Sequence, residues 1–311
     1  MPLALDTKSL RVCFGEADSG CRVSADGGVE LSLNMPVLGE VHSESLFELG
    51  ETARQQGDFH LLEGPDGLLA GCVALPSVAF PLEAAVYQVY RQLFEILDGR
   101  SLYRVWNFVP HINAETGGLE NYRSFNIGRF RAFEECYGGE FDGRIPAASA
   151  LGIDEGSLAL AFVAGEKPGQ PVENPDQVPA YEYPCEYGPK SPSFARGMVA
   201  NIEGSRTGFL SGTSSVKGCQ TKAAGEIEEQ IRITIDNMRI VSKAMGFVNA
   251  VTPDFSGRQY FKCFLRDPAN YALAKNIFAE AVGEQGIAAT TFLKSDICRA
   301  DLGVEIEGVF W

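Results

Sequence analysis

The second half of the chain alternates apolar and polar residues with two distinct periods. In "GEIEEQIRITIDNMRIVSKAMGF", Ile227, Ile231, Ile235, Met238 and Val241 recur three or four residues apart and make one face of a helix. "GRQYFKCFLRDPANYALAKNIFAEAV" follows as a strand, a turn at Asp267-Pro268 and a second helix. "AATTFLKSDICRADLGVEIEGVFW" supplies two closing strands. The first half runs in the same order. "LEAAVYQVYRQLFEILDG" is an amphipathic helix, "LYRVWNFVPHINAETGGLENYRSFNIGRFRAFEECYG" is strand, loop and helix, and "AASALGIDEGSLALAFVAG" matches the closing strands. The pattern predicts an internal duplication of a β–α–β–α–β–β unit. The fold class is α+β, with helices packed on one face of a mixed sheet in each half.

The last strand carries an anomaly. Ile306, Gly308 and Phe310 alternate with Glu305, Glu307, Val309 and Trp311, so two carboxylates share a face with residues that favour burial. A solvated edge strand is the ordinary explanation. The duplication sharpens the question, because Ala159 stands opposite Glu305 and Ala161 opposite Glu307. The scaffold uses this strand twice and carries the acids once, which points to a working acid. Between the halves, "NPDQVPAYEYPCEYGPKSPSFARGMV" has no helical period and is rich in Pro, Tyr, Ser and Gly, as a linker or a binding loop would be. "FLSGTSSVKG" reads as a strand running into small polar residues, where Gly212 permits a close bend and free N–H groups suit an anion.

Composition narrows the function. The 311 residues are 45% hydrophobic, enough for a substantial core, and no apolar run approaches the ~20 residues that span a bilayer. The first twenty residues lack the basic and apolar regions of a signal peptide. Eight scattered cysteines without a CxxC pair read as free thiols of a cytoplasmic protein. The formal charge of −15 argues against nucleic acid and anionic membranes as partners, though local arginines can still hold a small anion. His42, His60 and His111 show no metal-ligand spacing, so no metal site is expected. Ser193 and Ser211 have no recognisable His–Asp system, and His111 reads as a surface residue. No cofactor motif is present.

Six stretches together resemble the chorismatase family: "YRVWNFVPHIN" (103–113), "ENYRSFNIGRFRAFE" (120–134), "AASALGI" (147–153), "NPDQVPAYEYPCEYGPKSPSFAR" (174–196), "FLSGTSSVKG" (209–218) and "DICRADLGVEIEG" (296–308). The second half alone is similar to the RidA/YjgF (chorismate-mutase-like) fold, whose terminal strand commonly reads "VEIEA". The resemblance implies two tandem units of that kind: 1–165, and 166–311 with the catalytic acid. RidA-type units assemble as trimers, and a fused pair fits a monomer or a trimer. Two departures stand out. Cys185 and Lys190 occupy basic positions of the family pattern "YPRxYGPRSPSF", and Gly218-Cys219 replaces an expected Gly-His.

The resemblance implies chorismate as substrate and loss of pyruvate as the reaction, with no cofactor. Protonating the enol ether at carbon is the hard step and needs a positioned general acid. Glu305 is the candidate. Desolvation beside Val309 and Trp311 is expected to hold its proton, with a modest contribution from Glu307 about 7 Å along the strand. Arg129 and Arg196 are the implied carboxylate anchors, since a guanidinium binds a carboxylate bidentately. Tyr187 would bond the pyruvyl carboxylate or pack on the ring. Tyr122 and Asn126 are expected as supports. Cys298 matches a position associated with the 3-hydroxybenzoate-forming branch, where it would exclude water or assist rearrangement. Ser214 is its implied partner, at a place where Gly or Ala is expected. The expected products are pyruvate and 3-hydroxybenzoate, with a dihydroxycyclohexadiene carboxylate as runner-up. Two other readings remain open at this level: a RidA-like deaminase of enamines or imines, and a non-catalytic small-ligand binding protein.

Overall fold

The computed structural model describes residues 8–49, 53–79, 81–139, 141–154 and 156–311. Residues 1–7, on which the reading of the N-terminus falls in part, lie outside the described residues. The chain opens with β1 (Lys8–Phe14), β2 (Gly20–Val23), β3 (Val29–Leu33) and β4 (Ser43–Leu49), which form a sheet in the order β2-β3-β1-β4. The first repeat then contains β5 (Ala53–Gln56), β6 (Phe59–Glu63), β7 (Leu69–Leu75), α1 (Glu83–Leu97) and β8 (Ser101–Pro110). A small ribbon of β9 (Glu115–Thr116) and β10 (Leu119–Glu120) leads into α2 (Asn121–Tyr137), β11 (Ala147–Ile153) and β12 (Leu158–Gly165). The second repeat contains β13 (Gln170–Val172), β14 (Gly197–Ile202) and β15 (Ser205–Thr213). After a ribbon of β16 (Val216–Lys217) and β17 (Gln220–Thr221) come α3 (Ile227–Ala244), β18 (Gln259–Leu265), α4 (Tyr271–Ala288), β19 (Thr290–Lys294) and β20 (Val304–Phe310). Among the described residues no helix is long and apolar enough to cross a membrane.

The duplication is explicit in the sheets. One runs β11-β8-β12-β7-β6-β5 and the other β19-β18-β20-β15-β14-β13. In each, only the first pair is parallel. Register makes the equivalence residue by residue. Ala159 faces Phe108, which faces Leu151; Glu305 faces Phe264, which faces Leu293. Ala161 and Glu307 are likewise equivalent, opposite Trp106 and Lys262. Each repeat has further strands before its first helix, which helical periodicity alone does not reveal.

Helix α3 buries Ile231, Ile235, Met238 and Val241 against its sheet. Each such side chain contributes about 1.5–3 kcal/mol when fully removed from water. Asp267 accepts a hydrogen bond from the Ala269 N–H, and Pro268 presets the following turn, which starts the approach to α4. Helices α1 and α2 cover one face of the first sheet, and α3 and α4 one face of the second. The opposite sheet faces share a core with the N-terminal sheet, built from residues such as Leu31, Phe108, Ala159 and Phe264. Strand β20 sends Val304, Ile306 and Phe310 toward its helices, so Glu305 and Glu307 point into this apolar middle layer.

Candidate active site

Glu305 is 3% exposed, so the solvated-edge explanation does not hold. Its carboxyl packs against β15, where the pairing with β20 slips between Leu210 and Thr213. A side-chain carbon on Gly212 would overlap the Glu305 carboxyl and crowd Ser149. The glycine therefore provides space for the acid; its backbone is not strained. Gly212→Ala is expected to displace the carboxyl and lower turnover by about 10²-fold, since a shift near 1 Å has that effect on aligned groups. Steady-state kinetics together with circular dichroism check this, because the fold should persist.

Burial pushes the Glu305 pKa up to about 8, and the negative charge of Glu307 adds to the effect; Arg104, Arg196 and a hydrogen bond from Cys298 oppose it. Gly212 lies against the carboxyl, and the Trp311 ring stacks with Arg258 at 5.2 Å. Glu307 meets the opposite fate two residues away. Burial raises its pKa, but Lys262 and Arg104 outweigh burial and hold it below the usual range. Arg104 Nη2 lies 2.6 Å and Lys262 Nζ 2.8 Å from its oxygens, and the Trp106 indole N–H donates at 2.8 Å. Two neighbouring carboxyls are thus driven apart, one toward the acid form and one toward the anion.

Glu305 opens onto a cavity of about 440 Å³, a size suited to a small ligand. Both halves of the chain border it, and Arg129, Tyr187, Arg196, Ser214, Cys298 and Glu305 all line it. Arg129 projects from α2, 1% exposed, with its guanidinium 4.9 Å over the Phe125 ring and Nη2 donating to Asn126 at 3.0 Å. Arg196 ends the central loop, flanked by Phe194 and Tyr183, and Nη2 donates to the Tyr183 hydroxyl at 2.6 Å. The Nε atoms of both arginines are buried without a hydrogen-bond partner among the described residues. Buried donors are rarely left so, and both arginines line one cavity.

The Cys298 sulfur lies 3.9 Å from Glu305 Oε2. Burial and then Glu305 push its pKa up to about 12, so it stays a neutral thiol and not a nucleophilic thiolate. The Ser214 hydroxyl donates to the Val304 carbonyl at 2.9 Å and keeps only acceptor capacity toward the cavity. Tyr187 is half-buried, with the Arg299 guanidinium 4.4 Å over its ring. Tyr122 lines the cavity besides stacking on Phe125, whereas Asn126 supports Arg129. Ser211 ties the two halves, donating to the Ala195 carbonyl and accepting from the Ala148 N–H. His111 is exposed. Cys185 is exposed, Lys190 packs over Phe130, and neither they nor Gly218 and Cys219 line the cavity. Sequence reading missed Arg299, which borders the cavity beside the Tyr183 and Tyr187 rings. Its only signal is its place next to Cys298.

Comparison with known proteins identifies the family. Residues 49–164 match the family model "Chorismatase FkbO/Hyg5-like, N-terminal". The chain is 35% identical over 238 residues to a 3-hydroxybenzoate synthase of Streptomyces hygroscopicus, covering 72% of this chain and 68% of that protein. A chorismatase of the same organism is 33% identical over 238 residues, 73% of this chain and 66% of the relative. The crystal structure of a chorismatase superposes with a TM-score of 0.83 at 25% identity, over 98% of this chain and 93% of the other. The chain belongs to the chorismatase family.

Proposed function

We propose that the chain removes pyruvate from chorismate and releases 3-hydroxybenzoate, with Glu305 as the proton donor. The observation that carries this reading is a buried carboxyl that keeps its proton near neutral pH, facing a cavity lined by two buried arginines whose Nε atoms have no partner among the described residues. Arg129 and Arg196 take the two carboxylates of the dianion. Glu305 delivers its proton to the terminal methylene carbon of the enolpyruvyl ether. The resulting oxocarbenium ion is what permits cleavage, and Glu305 becomes the carboxylate that later recovers a proton. Tyr187, which lines the cavity, bonds the pyruvyl carboxylate or packs on the ring. The same reading divides the chain at 165/166, a division supported by the matching strand orders.

Two outcomes differ by one water. Pyruvate and 3-hydroxybenzoate together contain the atoms of chorismate, so that branch consumes no net water. The dihydroxycyclohexadiene carboxylate requires addition of one. A neutral thiol beside Glu305 is a weak hydrogen-bond former and a poor host for the attacking water. Cys298 favours the aromatic branch on this account by excluding water. The test is incubation with chorismate, measurement of pyruvate and chromatography of the ring product. Cys298→Ala is expected to lower the aromatic product and raise the diol. A wild type that forms only the diol, or a Cys298→Ala ratio identical to wild type, removes the role of Cys298 while leaving pyruvate release intact.

A further inference from the structure

Beneath Glu305 lies a buried network that the reaction as described does not use. Lys262 Nζ sits 2.5 Å from Glu44 Oε1 and 2.8 Å from Glu307 Oε1, and Arg104 Nη2 sits 2.6 Å from Glu307 Oε2. All four side chains are buried: Glu44 at 6% exposure, Arg104 at 1%, Lys262 at 3% and Glu307 at 2%. Two basic side chains thus meet two carboxyls, a set that is neutral when all four are ionised. Arg104 also donates to Ser149 at 2.9 Å, which anchors it below the acid. Lys262 and Glu307 occupy positions filled by Trp106 and Ala161 in the first repeat. Glu44 comes from β4, a strand outside the duplicated units. The charges are assembled only where the acid is, and one is imported from the N-terminal sheet.

We propose that Glu44 is a positioning residue for Glu305: by matching Lys262 it offsets the positive charge of the network beneath the acid, and so keeps the proton on Glu305. This rests on the reading of Glu305 as proton donor. The charged and titratable groups that bear on Glu305 are Glu307 on its own strand, Arg104 on β8, Arg196 at the end of the central loop and Cys298 before β20. Behind Glu307 stand Lys262 of β18 and Glu44 of β4. Burial raises the Glu44 pKa and the Glu307 charge adds to the rise, while the adjacent Lys262 ammonium and the Tyr260 hydroxyl of β18 oppose it. Without the Glu44 charge, the network carries a net positive charge and stabilises Glu305 as its carboxylate.

The test is the pH dependence of kcat for the full chain with chorismate, read by pyruvate release. Wild-type kcat should fall as Glu305 loses its proton. Glu44→Gln is expected to move that fall about one pH unit lower, so that kcat near pH 8 drops several-fold while KM and kcat near pH 6 hold. Glu44→Asp keeps the charge and should return the profile toward wild type. An unmoved profile in a folded Glu44→Gln overturns the proposal. Where Glu44→Gln does not fold, a carboxyl-carbon NMR titration of labelled wild type decides the question. Glu44 must be ionised across pH 6–9 while Glu305 titrates, and a protonated Glu44 there overturns the proposal equally. Full turnover by Glu305→Gln is a separate result, which would fault the proton-donor reading beneath it.

Discussion

Glu305→Gln is expected to bind chorismate normally and to lose turnover by about 10²-fold or more, the usual contribution of a positioned acid. The amide fills the space beside Gly212 but has no proton acidic enough to deliver to carbon. In wild type the acid works only while protonated, so its rate should fall as pH rises through about 8. The same group has a stability signature. Its pKa is raised in the folded state relative to an ordinary carboxyl near 4.3, so the folded state holds the proton more tightly. The stability linked to that proton is fully present below the unfolded value and is lost as pH rises through about 8. A neutral glutamine escapes this loss. Glu305→Gln should therefore be more stable than wild type at pH 8, by on the order of a few kcal/mol. Thermal melts at pH 5 and pH 8 measure it. A variant that turns over near the wild-type rate, or melts below wild type at pH 8, removes Glu305 from the acid role.

The helices and the repeat were legible because their information is local. Ile231, Ile235, Met238 and Val241 declare the buried face of α3 by spacing alone. Glu305 stood out by comparison within the chain, since Ala159 and Glu305 occupy one position in two copies. What stayed hidden depends on distant partners. Arg104 is an unremarked basic residue inside "LYRVWNF" until Glu307 meets it from 203 positions away. Glu44 gains meaning only from Lys262, 218 positions on. The N-terminal sheet was invisible for a related reason. It has no counterpart in the repeat, and its short strands are separated by polar turns that carry no period of their own. Gly212 was singled out as a place of close bending, whereas the structure makes it the space that admits a carboxyl.

Arg196→Ala is expected to cost about 2–5 kcal/mol of substrate interaction, because it leaves a carboxylate unpaired in a desolvated site. That is roughly 30-fold or more in kcat/KM, appearing mainly as a raised KM. Arg196 is 9% exposed, its Nη2 is held by the Tyr183 hydroxyl and the Val178 carbonyl, and its buried Nε has no hydrogen-bond partner among the described residues. The substitution should also act on the acid. Arg196 lowers the Glu305 pKa by its charge, so its removal strengthens the hold on the proton. The fall in kcat should then move to higher pH, the direction opposite to that expected for Glu44→Gln. Arg196→Lys separates the two effects. A lysine keeps the charge and the pH profile but lacks the planar fork, so KM should stay raised while the profile returns toward wild type. If Arg196→Ala leaves KM and the pH profile both unchanged, the guanidinium only braces the central loop, and the carboxylate anchor lies elsewhere, with Arg129 and Arg299 the remaining cavity-lining cations nearest the Phe125, Tyr183 and Tyr187 rings.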